Sequence, residues 1–556
     1  MNLSNTFFKT NRFYFILFFI LLVFLSVAMI VSYGPLCPGQ DFHFHFMRFI
    51  ALMDALRDGR FPFYIDYKAI DGYGYFTKAF YCDFVLIPFA LLGNMTNAEF
   101  AYKAMLFVMT LLCGLFTYIT VNKVYKNNIA AYISAILYTF CSYRLLDLYH
   151  RAALGEAFSF TFLPLVFLGL YYIIRGDYKK WYVFTIGYSL MLFTHVISSV
   201  LTAITILIFL IIYNRSLRND VRRIKYLVIS AFATLAIVSY YLFPMIEQML
   251  SDTFYYQTRQ LMAQTQDSKM ALNWIFWGLF SGGVQPRQIF IPGIGLLLTI
   301  AVCLRLFVFQ KTKELKSVDI LVIVGLCYIV AVSSLFPWHI FPFSTLNFIQ
   351  LPWRLFEFVS FFFAVAGGYY FSKALVTKKR IIAASFLLLV ATLFMMVSDG
   401  DLYKSTRCLG DINEKPTLAN SYLLGGLEYI PSSVPSIEYL ADRGDSVSVS
   451  NASSIDNLTR VAGVLNLNVV TDKSTDIELP LIYYKGYSAI QSETELTVSC
   501  SPKGLVSIQT NNSGKITVYY KGTVLQHISF YISIVSVLLL CVYIFREERR
   551  SKKKII

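Results

Sequence analysis

Charge is what this sequence has little of. Only 15% of its 556 residues are Asp, Glu, Lys or Arg, while 57% are hydrophobic; a soluble domain carries roughly 25% charged residues. That shortage points to a membrane protein before any motif is read. Also missing are a Walker A loop, a His-Glu-x-x-His pair and a Gly-x-Ser-x-Gly elbow, so the nucleotide, metalloprotease and hydrolase readings lose their usual signatures. There is no internal repeat and no low-complexity tract.

The charge that is present is mostly positive, 48 Lys and Arg against 33 Asp and Glu, for a net +15. On a soluble chain that balance suggests nucleic acid. Here the basic residues sit in short clusters between apolar runs, the pattern of cytoplasmic loops, and a nucleic-acid partner is set aside. The 50 Phe and 39 Tyr suit lipid contact, interfacial belts and sugar stacking alike.

Apolar stretches of bilayer length predict twelve transmembrane helices near 12–33, 101–122, 128–146, 157–174, 181–197, 199–213, 225–245, 289–308, 318–335, 354–372, 380–397 and 526–545. The first is long and lacks a small-residue cleavage site, so it reads as a retained helix and not as a signal peptide. With twelve spans, the clusters at Lys9–Arg12, Lys123–Lys126, Arg175–Lys180, Arg215–Lys225, Lys311–Lys316, Lys373–Arg380 and Arg546–Lys554 all fall on one side. The positive-inside rule then predicts a multi-pass plasma-membrane protein with both termini cytoplasmic. The short run Phe80–Leu92, interrupted by Asp83 and Pro88, reads as re-entrant or interfacial.

Three parts follow. Residues 1–398 form a transmembrane core with a large first outer loop, 34–100. Residues 399–525 are rich in Ser, Thr, Asn and Asp, with alternating stretches at Ser446–Ser450, Asp476–Tyr484, Leu496–Cys500, Leu505–Gln509 and Lys515–Tyr520, and predict an extracellular β-rich domain. Residues 526–556 are the last helix and a basic tail. An oxidising exterior permits the pairs Cys37–Cys82 and Cys408–Cys500, although pairing cannot be read from sequence.

The residues able to carry chemistry gather on the outer side of this threading. Asp41, His45 and Arg48 are spaced i, i+4, i+7 and would share one helical face: a potential base, an imidazole and a fixed cation. The same spacing suits an ordinary interfacial helix with its charges in water, and Asp41, His43 and His45 raise a divalent metal as an alternative. Arg57-Asp-Gly59-Arg-Phe-Pro62 and Asp71-Gly-Tyr-Gly74-Tyr-Phe mark turns beside an aromatic cluster that fits either a sugar platform or an interfacial belt. Further on, Arg144, Asp147 and Arg151 recur on one face, and Glu156 stands at the start of the fourth span. An ionisable group there is a functional candidate by default, with a plain Arg–Glu pair as the alternative. His195 closes the fifth span. Gln350-Leu-Pro-Trp353-Arg354 precedes the tenth, where the guanidinium can anchor the helix or clamp a lipid phosphate.

The run Asp41…His45…Arg48, Gly59-Arg-Phe-Pro62, Gly72-Tyr-Gly74, Phe80-Tyr81, Arg151…Glu156, Thr194-His195, Gln350-Leu-Pro-Trp-Arg354 and Leu479-Pro-Leu-Ile-Tyr-Tyr-Lys-Gly486-Tyr487 resembles, in order and over nearly the whole chain, the bacterial YfhO-like or 6-pyruvoyl-tetrahydropterin synthase-related membrane proteins. The pterin label implies no pterin chemistry. The resemblance implies a GT-C-like fold and a glycosyltransferase that takes a polyprenyl-phosphate-linked sugar to a cell-envelope glycan, lipid or teichoic-type acceptor, among membrane lipids. Asp41 would be the general base, with His45 and Glu156 tuning it. Arg48, Arg151, His195, Gln350, Trp353 and Arg354 would bind substrate. Paired acids are common in the first loop of such enzymes; here Phe42 follows Asp41, so no metal is expected and a metal-dependent variant is left open. A lipid or polymer flippase, or a non-catalytic envelope-assembly protein, are the rival readings.

Overall fold

The computed structural model describes residues 2–37, 39–259, 263–285, 289–407, 427–451 and 454–553. The chain packs as two compact units: Met1–Phe42, Glu99–Thr234 and Ala263–Asn413 form the first, and His43–Ala98, Leu235–Met262 and Glu414–Ile556 the second.

Among the described residues, eight helices are long and apolar enough to cross a membrane: Tyr14–Tyr33, Ala98–Tyr125, Asn128–His150, Leu154–Ile174, Lys313–Val332, Pro352–Ala374, Lys378–Thr406 and Val524–Arg550. Arg222–Ile237 and Ser239–Ser251, separated by a sharp bend, make a ninth if taken together. The other expected spans are shorter. Tyr182–Leu192 stops at the Thr194-His195 turn, and His195 then caps Val196–Ile212. Gly295, at φ 77°, delays the next helix to Gly295–Cys303, which ends in a 3-10 turn.

In the first unit, the helix beginning at Phe356 is almost wholly buried. Small residues let backbones close on one another, the usual substitute for a hydrophobic driving force between helices in lipid. A Cβ on Gly368 would lie 2.6 Å from the carbonyl of Ala130, and one on Gly169 would lie 2.2 Å from the backbone of Phe184.

The second unit holds the β-rich part of the chain, with strands β1 (Ser448–Val449), β2 (Ser454–Val461), β3 (Val464–Val470), β4 (Thr475–Ile482), β5 (Tyr487–Gln491), β6 (Thr494–Leu496), β7 (Val498–Cys500), β8 (Leu505–Thr510) and β9 (Gly514–Tyr520). They form two antiparallel sheets, ordered β1-β4-β8-β7 and β2-β3-β9-β5-β6. Alternation puts Leu465, Leu467 and Val469 of β3 in the core, with Ile477 and Leu479 of β4. The aromatic cluster of the first loop joins the same core and presents neither a sugar platform nor a belt. Tyr73 and Phe76 are buried, Phe80 stacks on Tyr429 at 3.9 Å, and Tyr73 Oη donates to the carbonyl of Gly444 at 2.6 Å.

Neither of the two cysteine pairs left open by the sequence is joined. Cys37 is disulfide-bonded, but Cys82 and Cys500 are free thiols, and Cys408 lies outside the described residues. Cys82 is buried with its Sγ 3.1 Å from Tyr240 Oη, and burial pushes its thiol up to about 12.

Leu479 is fully buried in the second unit. Leu479→Ala should therefore cost about 2–5 kcal/mol, measured as a lower unfolding temperature of the purified protein in detergent.

Candidate functional site

Asp41, Arg151, Glu156 and Arg354 come together in the first unit. Glu156 stands in the first turn of the Leu154–Ile174 helix, where the helix dipole favours an anion. Its Oε1 accepts from Tyr143 Oη at 2.6 Å; its Oε2 accepts from Arg151 Nη1 at 3.0 Å and from Arg354 Nε at 3.2 Å. Arg151 Nη1 also donates to Asp147 Oδ1 at 2.5 Å. Arg354 Nη1 donates to the carbonyl of Ile349 at 2.6 Å and, at 3.4 Å, to Gln350 Oε1. Tyr143, Asp147, Arg151, Glu156 and Arg354 are all buried. The Nη2 groups of both arginines have no partner among the described residues, and the second oxygen of Asp147 is buried without one.

Local backbone accounts for the convergence. The segment expected as an outer loop is helical and buried: Ser142–Leu145 passes into a π-helical turn, Leu146–His150, of the kind that often marks functional sites. Ala152, at φ 53°, then turns the chain into the Glu156 helix. Gly155 is needed because a Cβ there would lie 2.8 Å from the carbonyl of Thr194. Gln350, at φ 65°, precedes the tight turn Pro352–Leu355 that holds half-buried Trp353 and aims Arg354 inward.

Asp41 reaches this cluster through its backbone, whose N–H donates to the carbonyl of Arg151 at 2.8 Å. Gly39 permits the approach, since a Cβ there would lie 2.8 Å from the carbonyl of Tyr149. The half-buried Asp41 carboxylate accepts no hydrogen bond among the described residues. Burial raises its pKa; Arg151 and Arg354 oppose that shift and Glu156 adds to it.

Behind Glu156 lies an acid that the motifs did not single out. Glu357 is buried and accepts from Ser159 Oγ and Ser198 Oγ, each at 2.7 Å. Ser159 Oγ also lies 2.6 Å from the carbonyl of Glu156, and Ser198 Oγ lies 2.8 Å from His195 Nδ1. His195 thus joins the site through Ser198 and Glu357. The available signal was position: Glu357 is i+3 from Arg354 in the same helical run.

His45 and Arg48 belong to the second unit and have partners there. Asp41 immediately precedes the helix Phe42–Arg57 that carries His45 and Arg48. Arg48 Nε pairs with Asp83 at 3.0 Å; Lys78 Nζ pairs with the same carboxylate at 2.6 Å, and burial pulls the Lys78 ammonium down. The His45 ring packs edge-on to Tyr81. Among the described residues no group of three His, Cys, Asp or Glu side chains is placed to hold a metal, the set Asp41, His43 and His45 included.

The family model for the 6-pyruvoyl-tetrahydropterin synthase related domain, a membrane protein, matches residues 79–403, more than half of the chain. The protein belongs to that family. An uncharacterized protein of Lactococcus lactis subsp. cremoris (strain MG1363) is 21% identical over 339 residues, 58% of this chain and 54% of that protein. The chain thus spans about half the length of this relative. The family match takes in Arg151, Glu156, His195 and Arg354; Asp41, His45 and Arg48 precede it.

Two substitutions separate the pairing role from the open acid. Glu156→Ala leaves two buried guanidinium groups short of a carboxylate and should destabilise the fold by about 3–5 kcal/mol. Asp41→Asn should do the opposite. A carboxyl whose pKa is raised on folding contributes stability below its unfolded pKa and loses it as pH rises through the folded value. At neutral pH the Asn variant should therefore unfold at a temperature no lower than wild type, and scanning calorimetry of the two proteins checks the contrast.

Proposed function

We propose that this protein is a glycosyltransferase of GT-C type, with twelve membrane crossings, both termini inside and the Asp41 cluster facing outward. It moves a sugar from a polyprenyl-phosphate donor to a cell-envelope acceptor. The observation that carries this reading is the contrast within the cluster: Asp41 has a carboxylate without a hydrogen bond among the described residues, beside two arginines held by Glu156 through Nη1 and Nε with Nη2 unspent.

In this reading the acceptor hydroxyl gives its proton to Asp41 as its oxygen attacks the anomeric carbon. The bond from that carbon to the phosphate oxygen breaks, and its electron pair leaves with the polyprenyl phosphate. The Nη2 groups of Arg151 and Arg354 meet the charge gathering on the leaving oxygen. Glu156 fixes both guanidinium planes, so they need no reorganisation during the step. Glu357, Ser198 and His195 stiffen the wall behind them.

Asp41→Asn should abolish transfer while the protein still inserts and folds, scored by envelope glycan profiles of a deletion strain carrying either version. A profile restored by the Asn variant would remove Asp41 as base. The ionised form is the active one, so transfer should rise with pH through the Asp41 pKa. Burial raises that pKa above the ordinary value of 3.8, and the rising limb should lie correspondingly higher in the pH–rate profile of purified protein.

A further inference from the structure

Away from the Asp41 cluster, the first unit contains an apolar cavity of about 240 Å³. Glu156 begins the Leu154–Ile174 helix and Arg175 ends it, and the rise of a helix over that stretch is about 28 Å. The cavity lies at the Arg175 end. Val121 and Tyr125 end one span, Leu170 and Ile174 another, and Leu321 lies in the opening turns of Lys313–Val332. Phe167, Phe209 and Phe361 supply aromatic wall.

Thr120, Tyr125 and Ser317 add hydroxyls to the lining, and the charged groups are Arg175, Lys313 and Glu314. Arg175 is exposed, and its guanidinium carbon lies 4.3 Å from the centre of the Tyr213 ring. Lys313, also exposed, opens its helix, whose N-terminus adds positive potential. Arg223 Nη1 donates to the carbonyls of Ile173 at 2.8 Å and Gly176 at 3.1 Å, covering the end of the neighbouring helix with a further cation. Glu314 lines the cavity beside Arg175 and Lys313, and Arg223 lies outside the lining.

The lining is predominantly apolar, which suits an acyl chain, and Arg175 and Lys313 favour an anionic head group over a cationic one. We propose that the cavity binds an anionic glycerophospholipid, with one acyl chain between the helices and the phosphate at Arg175 and Lys313. Basic pockets between transmembrane helices take acidic head groups in this way. The site is separate from the Asp41 cluster and does not depend on the transferase reading.

The test uses the full-length protein reconstituted into vesicles of mixed phosphatidylcholine and phosphatidylglycerol, re-extracted in detergent and weighed intact by native mass spectrometry. Wild type should retain phosphatidylglycerol in preference to phosphatidylcholine. The double variant Arg175→Gln, Lys313→Gln changes two exposed side chains and should lose that preference by about thirtyfold, on the usual attraction per basic residue. Val124→Trp, which fills the cavity from its half-buried edge, should reduce retention of the lipid with both cations in place. Wild type showing no preference, or either variant retaining phosphatidylglycerol undiminished, would overturn the proposal.

Discussion

A carboxylate taken out of water at the start of a helix must be paired, or its desolvation would outweigh what the fold can supply. Glu156 meets that demand with two guanidinium groups and a phenol, and one of the guanidinium groups lies 198 residues further along the chain. Much of the surrounding backbone is shaped by this pairing. The π-helical turn before Arg151, the left-handed Ala152 and the missing side chain at Gly155 bring Arg151 and the His195 turn against the carboxylate. The left-handed Gln350 and the Pro352 turn deliver Arg354 from the other side. None of these features is favourable on its own; together they let a charged group sit among buried side chains.

Much of this was legible in the sequence, and what was not has a physical reason. Long apolar runs are self-sufficient, because a helix in lipid satisfies its own backbone, so among the described residues eight of the expected spans appear as helices of the required length. Alternation likewise marked the strands Ser448–Val449, Thr475–Ile482, Val498–Cys500, Leu505–Thr510 and Gly514–Tyr520, and missed Ser454–Val461, Val464–Val470 and Tyr487–Gln491. Arg151, Glu156 and Arg354 stood out because a charge beside a span is costly wherever it lies. Arg48 met the same criterion and proved to be the partner of Asp83: cost identifies a charge that needs a partner without saying which one. Glu357 was missed for the reverse reason, since its partners are two serines on other helices and a hydroxyl carries no sequence signal of its own. The tyrosines around Gly72 and Gly74 were open to two surface readings, and both gave way to a core built from strands almost 400 residues away. The cysteine pairing depended on distances that no spacing encodes.

The plainest alternative for the Asp41 cluster is a set of ion pairs that only hold helices together. Such a set is best when closed, because a buried donor or acceptor left unspent costs stability without return. The Glu357 side of the site is built that way: both carboxylate oxygens are bonded, and the two serines lead on to a carbonyl and an imidazole. The Asp41 side differs. Arg151 gives two bonds from Nη1 and none from Nη2, Arg354 likewise leaves Nη2 idle, one oxygen of Asp147 is buried without a partner, and the Asp41 carboxylate is held in place by its backbone alone. Donors and acceptors of opposite kind thus stand beside each other, fixed in position and with hydrogen-bonding capacity that the described residues do not use. In the proposed reading, a ligand with both anionic oxygens and a hydroxyl takes up that capacity, a role that a set of ion pairs bracing helices does not call for.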